Sequence, residues 1–524
     1  MNKINCLFLS AIALLLSTIA CAQSPNPLYQ HLPPSADHIY SIKFGQILAK
    51  GELVSILDGM PLPKDSSAIL AFNVIKDPAS AGIDLDHEIL VAQTTATGTG
   101  ADTVSFTEIL VPITDSAKFR TAFTKFMKPG QRIHGLPGKG ATTYHGNEGW
   151  AWNAQTLVGT VASTESSVHR PMGELAVEKS IAALAGFSGT PWLTDQRFLT
   201  GFATDEDVHA WSSKMDFMHT MSKLIKKMAA KNPAMKSNHF PDYNNMGQMP
   251  HPPVLSTFSF ENGRIVFRMT AFNKPEDAAS YQREFDRPIN KDLLARIPNG
   301  LLLGFGAMHL NPAGLPDLME KYHTRHIVDS VLGKSGLSIS DISSAFGGDF
   351  LVAAVGDTTA MTDTAKKKVD FYFVATLGDP AKLQQLTTKL MANNGKAPGD
   401  TAGMAKMKKL ANNLAIRDNM LVISGSKEKA QKYFSNTDRR PTDLIEDSKS
   451  MQTFVVNLKA VSTFIGTSMS NDPKAMIFAR ILEKLDKIEL NSSMPDGVNT
   501  VTTFQIVTGD PSTNSLKTLV SILH

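Results

Sequence analysis

The chain has 524 residues, of which 42% are hydrophobic and 19% charged, and its formal net charge is +3. A chain of this length can bury large cores and predicts about two to four domains. Its charges are well mixed and belong to no recognisable nucleic-acid-binding module, so a nucleic-acid partner is not expected.

The N-terminus has the composition of a secretory signal peptide. Lys3 provides a positive start, residues 4–20 are mostly apolar, and Ala20-Cys21-Ala22 supplies small residues at the end. This succession is typical of a signal that is removed on export. We therefore predict a signal peptide at residues 1–22 and an exported protein in the periplasm or at the outer membrane.

Two processing routes are open at the end of this signal. Cleavage after Ala22 would release an unanchored chain. Thr18-Ile19-Ala20-Cys21 also has the form of a lipoprotein box, although leucine is usual at its first position, and in that case Cys21 would carry a lipid. No later apolar run reaches the roughly 18 residues of a membrane-spanning helix. A lipid on Cys21 is therefore the only membrane anchor that the sequence predicts.

Similarity between two parts of the sequence predicts an internal duplication. Asp115-Ser116-Ala117-Lys118-Phe119 resembles Asp379-Pro380-Ala381-Lys382-Leu383, 264 residues further on. The same offset relates Thr124-Lys125-Phe126-Met127 to Thr388-Lys389-Leu390-Met391. A constant offset through segments of different predicted structure is not expected by chance, so we predict two copies of one module.

Each copy is predicted to contain the same succession of elements. Residues 104–113 and 369–377 alternate with the period of a strand. Asp115 and Asp379 then lie where the N-cap of a helix is expected. These elements recur at the same offset, and they support the duplication.

Two hairpins complete each predicted copy. The earlier one turns at Asn153-Ala154-Gln155 and, in the second copy, at Arg417-Asp418-Asn419. The closing one turns at Asn262-Gly263 and at Asp496-Gly497, which are pairs typical of type I′ turns with two positive φ angles. The sequence thus predicts an α+β fold of two tandem homologous modules, each mainly antiparallel sheet with packed helices.

The predicted boundaries follow from this duplication. A linker at residues 23–31 precedes the first copy at residues 32–290, and the second copy occupies residues 291–524. The closing hairpins are about 30 residues closer together than the other matched elements, so the first copy contains an insertion. We assign it to a loop at about residues 229–253, a segment rich in Asn, Pro, Met and His. Long loops are often functional or disordered.

The segment around this insertion is a candidate metal site. Its soft or imidazole ligands are Met215, Met218, His219, Met221, His239 and His251. Thioethers and imidazoles together can bind Cu(I). The more economical interpretation is an apolar helix stripe, because methionine is a common filler of hydrophobic cores. Metal binding is therefore an alternative hypothesis, and no cofactor is predicted.

Trp150 and Trp152 alternate along a predicted strand beside a glycine-rich approach. Exposed aromatic rings at these positions could bind a glycan or a peptide. Equally, one of the two faces the core as an ordinary residue of a sheet. Both interpretations are open at this stage.

No motif of a known catalytic family occurs in a fitting context. Ser424-Gly425-Ser426-Lys427 has the S-x-x-K spacing of penicillin-interacting enzymes, but the partner motifs S-D-N and K-T-G are missing. The duplication also places Ser424 at the end of a strand, where that nucleophile is not found. We therefore predict no catalytic residues, and a hydrolase with an unrecognised site is the alternative.

Several segments together resemble a known family. Leu32-Pro33 before a strand and residues 80–85, 111–119 and 342–349 are similar to segments of an uncharacterised family of Bacteroidota envelope lipoproteins. The resemblance spans most of the mature chain and implies an envelope location. The family has no established activity, so the resemblance implies no catalytic residue.

The combined expectation is a non-enzymatic binding or scaffold module of the cell envelope. Its partner would be an envelope protein, a peptide or a glycan. If two related halves pack together, a groove between them is the expected place for a ligand, because pockets favour domain interfaces.

Overall fold

The structure is a computed structural model, and it describes residues 26–59, 73–97, 103–127, 130–137, 140–164, 172–213, 252–321, 325–333, 336–356, 369–394, 412–437, 440, 445, 449–468 and 472–523. The predicted signal peptide lies outside these residues, and so does the predicted insertion except for Pro252 and Pro253. Within the described ranges, no helix is long and apolar enough to cross a membrane.

The chain divides into two compact units. Unit 1 ends at Ser212 and unit 2 begins at Ser213. The boundary predicted at residue 290 is based on sequence similarity between the two copies, whereas the boundary after Ser212 is based on contacts within each unit. The two boundaries therefore assign the hairpin at residues 254–271 differently.

Unit 1 contains an antiparallel sheet with short helices. Its strands are β1 (His38–Ile42), β2 (Ile89–Thr97), β3 (Thr103–Pro112), β4 (His134–Leu136), β5 (Gly140–His145), β6 (Glu148–Trp152), β7 (Thr156–Thr164) and β8 (Val208–Ser212). Its helices are α1 (Phe44–Lys50), α2 (Leu53–Gly59), α3 (Ser116–Thr124), α4 (Gly173–Ala185) and α5 (Gln196–Phe202). The strand order is β4-β5-β6-β7-β3-β2-β1-β8.

Unit 2 is also antiparallel. Its strands are β9 (Val254–Glu261), β10 (Arg264–Ala271), β11 (Leu301–His309), β12 (Phe346–Gly356), β13 (Val369–Leu377), β14 (Leu414–Arg417), β15 (Met420–Ile423), β16 (Gln452–Asn457), β17 (Leu485–Ser493) and β18 (Thr500–Thr508). The order is β9-β10-β18-β17-β16-β11-β12-β13-β15-β14. The predicted α+β class is confirmed.

The helices of unit 2 connect these strands. They are α6 (Pro275–Glu284), α7 (Asp292–Ala295), α8 (Leu315–Lys321), α9 (Arg325–Gly333), α10 (Ile339–Ala345), α11 (Pro380–Asn394), α12 (Lys427–Ser435), α13 (Leu458–Ser468), α14 (Pro473–Glu483) and α15 (Ser515–Leu523). Six strands of each unit share one order, namely β6-β7-β3-β2-β1-β8 and β14-β15-β13-β12-β11-β16. The units therefore resemble each other in topology.

The predicted helix caps are confirmed. The Asp115 carboxylate accepts hydrogen bonds from the backbone N–H groups of Ala117 and Lys118, and α3 begins at the next residue. Asp379 does the same for Ala381 at the start of α11. Each aspartate satisfies donors that a helix leaves without intrahelical partners, which fixes where the helix begins.

The turn types differ from the prediction. Gly263 and Gly497 have positive φ, but Asn262 and Asp496 do not, so neither closing hairpin has a type I′ turn. The pair with two positive φ angles is Asp418-Asn419, which joins β14 to β15. Short polar side chains tolerate this conformation, which explains why a type I′ turn forms here without glycine.

Helices cover the two faces of the unit 2 sheet unequally. On one face, Phe305, Leu351 and Val374 belong to a core that includes Tyr433 of α12, whose hydroxyl donates to the Leu293 carbonyl at 2.7 Å. On the other face, leucines of α11 pack near β13 and β15 around Leu421. The middle of this second face, at β11, β12 and β16, is left partly open.

Candidate functional site

A continuous apolar band crosses the second face of the unit 2 sheet. Residues directly opposite each other in paired strands face the same side of a sheet. From β9 to β14 the first row of paired residues is Phe258, Phe267, Phe504, Leu490, Phe454, Gly306, Val352, Phe373, Ile423 and Leu414. No position in this row carries a polar side chain.

A second apolar row runs beside the first. From β9 to β13 it comprises Phe260, Ile265, Ile506, Ile488, Val456, Gly304, Ala354 and Phe371. The row on the opposite side of the first one becomes polar at Gln452, Ser492 and Thr502. On β11 and β12 that row is still apolar, with Met308 and Phe350. The band is therefore two residues wide on β16, β17 and β18, and three residues wide on β11 and β12.

The band contains an open trough of about 620 Å³ where it crosses β16, β11, β12 and β13. Among the described residues that line it there is no Asp, Glu, Lys, Arg or His, and the polar ones are Gln452 and Thr453. Val461 of α13 forms part of its wall. A trough of this size and polarity falls in the range of small-molecule binding sites.

Three side chains of the trough are unusually exposed for their size. Phe371 is 61% exposed, Phe454 51% and Val352 50%. Clustered exposed apolar residues mark binding surfaces more often than single ones do, because burying them is favourable. These three residues are therefore the centre of the candidate site.

Two glycines of β11 form the floor. A Cβ atom at Gly306 would lie 3.2 Å from Cδ2 of Phe454, so the phenyl ring leans over this residue. A Cβ atom at Gly304 would lie 2.7 Å from the Val455 carbonyl oxygen, next to a bulge in β11. Neither glycine has positive φ, so here glycine provides space and not an unusual backbone conformation.

A smaller cavity of about 290 Å³ extends the apolar surface towards β15. It shares Val352 and Phe371 with the trough, and Ile423 and Gly425 also line it. The two side chains thus stand between two depressions. A ligand longer than the trough could continue along the same face.

A cluster of charged residues and a histidine lies on the opposite face of the unit 2 sheet. The His309 ring is buried, with Nδ1 2.9 Å from Asp349 and Nε2 2.7 Å from Asp286. Both ring nitrogens are thus within hydrogen-bond distance of a carboxylate. Arg287 also binds Asp349, at 2.8 Å. The cluster ties the end of β11 to the start of β12.

The pKa of Asp349 reflects this arrangement. Burial alone would raise it, but the hydrogen bond from His309 and the charge of Arg287 outweigh burial and hold the pKa below its usual range. No serine or cysteine is hydrogen-bonded to His309 among the described residues. The geometry is that of a structural clamp and not of a nucleophile with its base.

Unit 1 has a buried acid of a different kind. Glu108 on β3 is 2% exposed, and burial raises its pKa to about 7, although the charge of Lys179 acts in the opposite direction. One of its carboxyl oxygens has no hydrogen-bond partner in the part of the chain that the structure describes. Below about pH 7, the protonated form of Glu108 is therefore favoured in the folded chain.

The two tryptophans singled out from the sequence pack inside unit 1. The Trp152 ring is almost fully buried, 5.5 Å from the Phe119 ring and 5.4 Å from Phe123. Trp150 is half-buried, and it lies over Gly159 and 5.8 Å from Phe123. Both rings contribute to packing, and we propose no ligand-binding role for them.

The other sequence-predicted site residues lie outside the described residues. These are Cys21, Met215, Met218, His219, Met221, His239 and His251. As far as the described ranges reach, no group of three or more His, Cys, Asp or Glu side chains is placed to hold a metal ion. The trough residues were not singled out from the sequence.

Comparisons with known proteins add little to this picture. No protein-family model and no curated protein matches the sequence. The chain is weakly similar to crystal form IV of TP0453, with a TM-score of 0.30, 10% identity, and coverage of 48% of this chain and 83% of that one. Crystal form III gives a TM-score of 0.29, 9% identity and coverage of 51% and 90%. At these TM-scores the likeness supports no conclusion about fold or function.

Proposed function

We propose that the protein is an exported, non-enzymatic binding protein of the bacterial cell envelope, and that the trough of unit 2 holds an apolar ligand. The single observation that carries this proposal is the uninterrupted apolar band with Phe371, Phe454 and Val352 exposed in an uncharged trough. A sheet face that has no ligand or partner is normally polar on its solvent side.

Burial of these side chains would supply the binding energy. Complete burial of a large apolar side chain contributes about 1.5–3 kcal/mol. Phe371 and Phe454 have about half of their surface left to bury. Covering them would therefore contribute on the order of 1 kcal/mol each, before the rest of the trough is counted.

The two-copy architecture is part of the same proposal. The shared order of six strands and the equivalent helix caps at Asp115 and Asp379 support an ancestral duplication.

The connection between β16 and β17 holds helices α13 and α14, and α13 forms a wall of the trough. Export and a lipid on Cys21 rest on the N-terminal sequence and on the family resemblance.

The alternatives from the sequence have less support. The His309 cluster offers no nucleophile, so a hydrolase-type site finds no support there. Copper binding by the Met/His segment stays a prediction. Copper titration of the full chain before and after deletion of residues 229–253 tests it, and unchanged binding would count against it.

Fluorescence titration with the neutral probe N-phenyl-1-naphthylamine tests the proposed function. We expect saturable binding to the wild type and a loss of about tenfold or more in affinity for Phe371→Ser and Phe454→Ser. The matched control is Phe478→Ser on α14, because Phe478 is 52% exposed but does not line the trough.

Thermal unfolding of all three variants checks that each one folds. Equal loss of probe binding in the control and the trough variants would contradict the proposal, and so would an absence of saturable binding to the wild type.

A further inference from the structure

We propose that the ligand of the trough is a single long, unbranched hydrocarbon chain, as in a long-chain fatty acid, which lies across the strands along the apolar band. This inference rests on the proposed function and names the chemical class of its ligand. The width, the length, the charge and the hydrogen bonding of the band each restrict what can bind there.

The width of the band fits one chain. Residues that share a face are two positions apart on a strand, which is about 6.6 Å. Gly304 and Gly306 occupy adjacent positions of the two rows and add no side chain to the floor, over which the Phe454 ring leans at Gly306. Where the band crosses β16 and β17, a wide, rigid ring system would extend further along the strands, onto the polar residues Gln452 and Ser492.

The length of the band exceeds that of a compact ligand. Neighbouring strands are about 4.8 Å apart, so the first row extends roughly 24 Å from Phe267 on β10 to Val352 on β12. Phe267 is itself 37% exposed, which shows that the row is accessible beyond the trough. A flexible chain can follow such a path and bury a methylene group at each step.

The chemistry of the lining excludes other elongated ligands. An extended peptide binds a sheet by adding a strand, but β11, β12 and β16 are each paired on both sides. The uncharged lining would leave the charges of an acidic or basic ligand without partners, at a high cost in free energy. An uncharged hydrocarbon chain, with its polar end outside the band, satisfies both conditions.

Competition against the naphthylamine probe with saturated fatty acids from octanoate to stearate tests this inference. Each methylene group that enters the band should tighten binding, by at most about fourfold. Pyrene, a compact and rigid hydrocarbon, serves as the competitor without a chain. We expect affinity to rise with chain length and to exceed that of pyrene for the longest acids.

Two variants test whether the fatty-acid chain binds in the trough. Gly306→Leu would place a side chain on the floor of the trough, and Ala354→Leu narrows the second row if the glycine variant does not fold. Either change should lower the affinity for stearate by about tenfold or more. The affinity for octanoate should fall by less, because a short chain can bind beside the introduced side chain.

The outcomes separate the two proposals. Affinity that rises with chain length and falls in the variants supports the inference. Probe binding without any dependence on chain length, or pyrene binding as tightly as stearate, overturns the chain ligand and leaves the apolar site standing. No binding of the probe or of any competitor overturns both.

Discussion

The two units carry different side chains in rows of their sheets that correspond by strand order. In unit 2 the second row of the band passes through Val456, Gly304, Ala354 and Phe371. The strands of the same order in unit 1 carry Ser212, His38, Gln93 and Thr107 in that row. The row is apolar in one unit and polar in the other.

The opposite face of each sheet carries fully buried apolar side chains. Ile39, Leu90 and Leu110 are fully buried in unit 1, as are Leu351 and Val374 in unit 2. This face of each sheet therefore contributes to the buried core, and in unit 1 it also buries Glu108. The second face of the unit 2 sheet carries the open apolar trough.

The largest expected effect is on the free energy of unfolding, and it distinguishes the two faces of the unit 2 sheet at two neighbouring residues of β12. Leu351→Ala removes a fully buried side chain and should lower the free energy of unfolding by about 3 kcal/mol. Val352→Ala, on the trough face, should lower it by less than about 1 kcal/mol. Urea unfolding measures both, and equal losses would mean that the trough face is buried in solution.

A second effect, about as large, concerns the buried acid of unit 1. Glu108 corresponds to Tyr372 of unit 2 by the 264-residue offset, and burial raises its pKa from the usual 4.5 to about 7. The folded chain therefore binds a proton that the unfolded chain has lost between these pH values. Stability from this group is complete below about pH 4.5 and decreases as the pH rises to about 7, by about 3 kcal/mol.

Glu108→Gln should remove this part of the pH dependence, because an amide does not titrate. Unfolding by urea at a series of pH values between 4 and 8 measures it for both proteins. Identical slopes for the variant and the wild type would show that Glu108 is hydrated or paired in solution.

A smaller effect is expected from a double substitution that gives the trough two polar residues of unit 1. Ala354→Gln together with Phe371→Thr introduces the residues that unit 1 has at Gln93 and Thr107. We expect probe affinity to fall by about tenfold, which is about 1.4 kcal/mol, with little change in stability, since both positions lie on the open face. Undiminished binding would place the ligand site elsewhere.

The smallest effect tests the similarity of the units. Asp115→Ala and Asp379→Ala each remove a helix cap and should each cost about 1 kcal/mol. Urea unfolding of the two variants measures the losses. A negligible loss in only one of them would show that the two caps are not equivalent.

Local signals in the sequence predicted much of the fold. The caps at Asp115 and Asp379 and the strands at residues 104–113 and 369–377 depend on neighbouring residues, and the structure contains all of them. The type I′ turns were placed at the wrong pairs, because the turn geometry depends on how the two strands meet.

The trough was not predicted, for a physical reason. The run Phe371-Tyr372-Phe373-Val374 is apolar at successive positions, which is typical of a strand that is apolar on both faces. That signal was available, but it does not tell which strands lie side by side. Phe454 and Val352 are about 100 residues apart in sequence and become neighbours of Gly306 only through strand pairing.

The most direct test of the apolar site is photocrosslinking with a palmitate analogue that carries a diazirine on its chain. After irradiation of the full-length protein, digestion and mass spectrometry locate the adducts. The proposed site predicts adducts on peptides of β11, β12, β13 and β16, around Val352, Phe371 and Phe454, and competition by unlabelled palmitate. Adducts confined to unit 1, or an absence of competition, would contradict it.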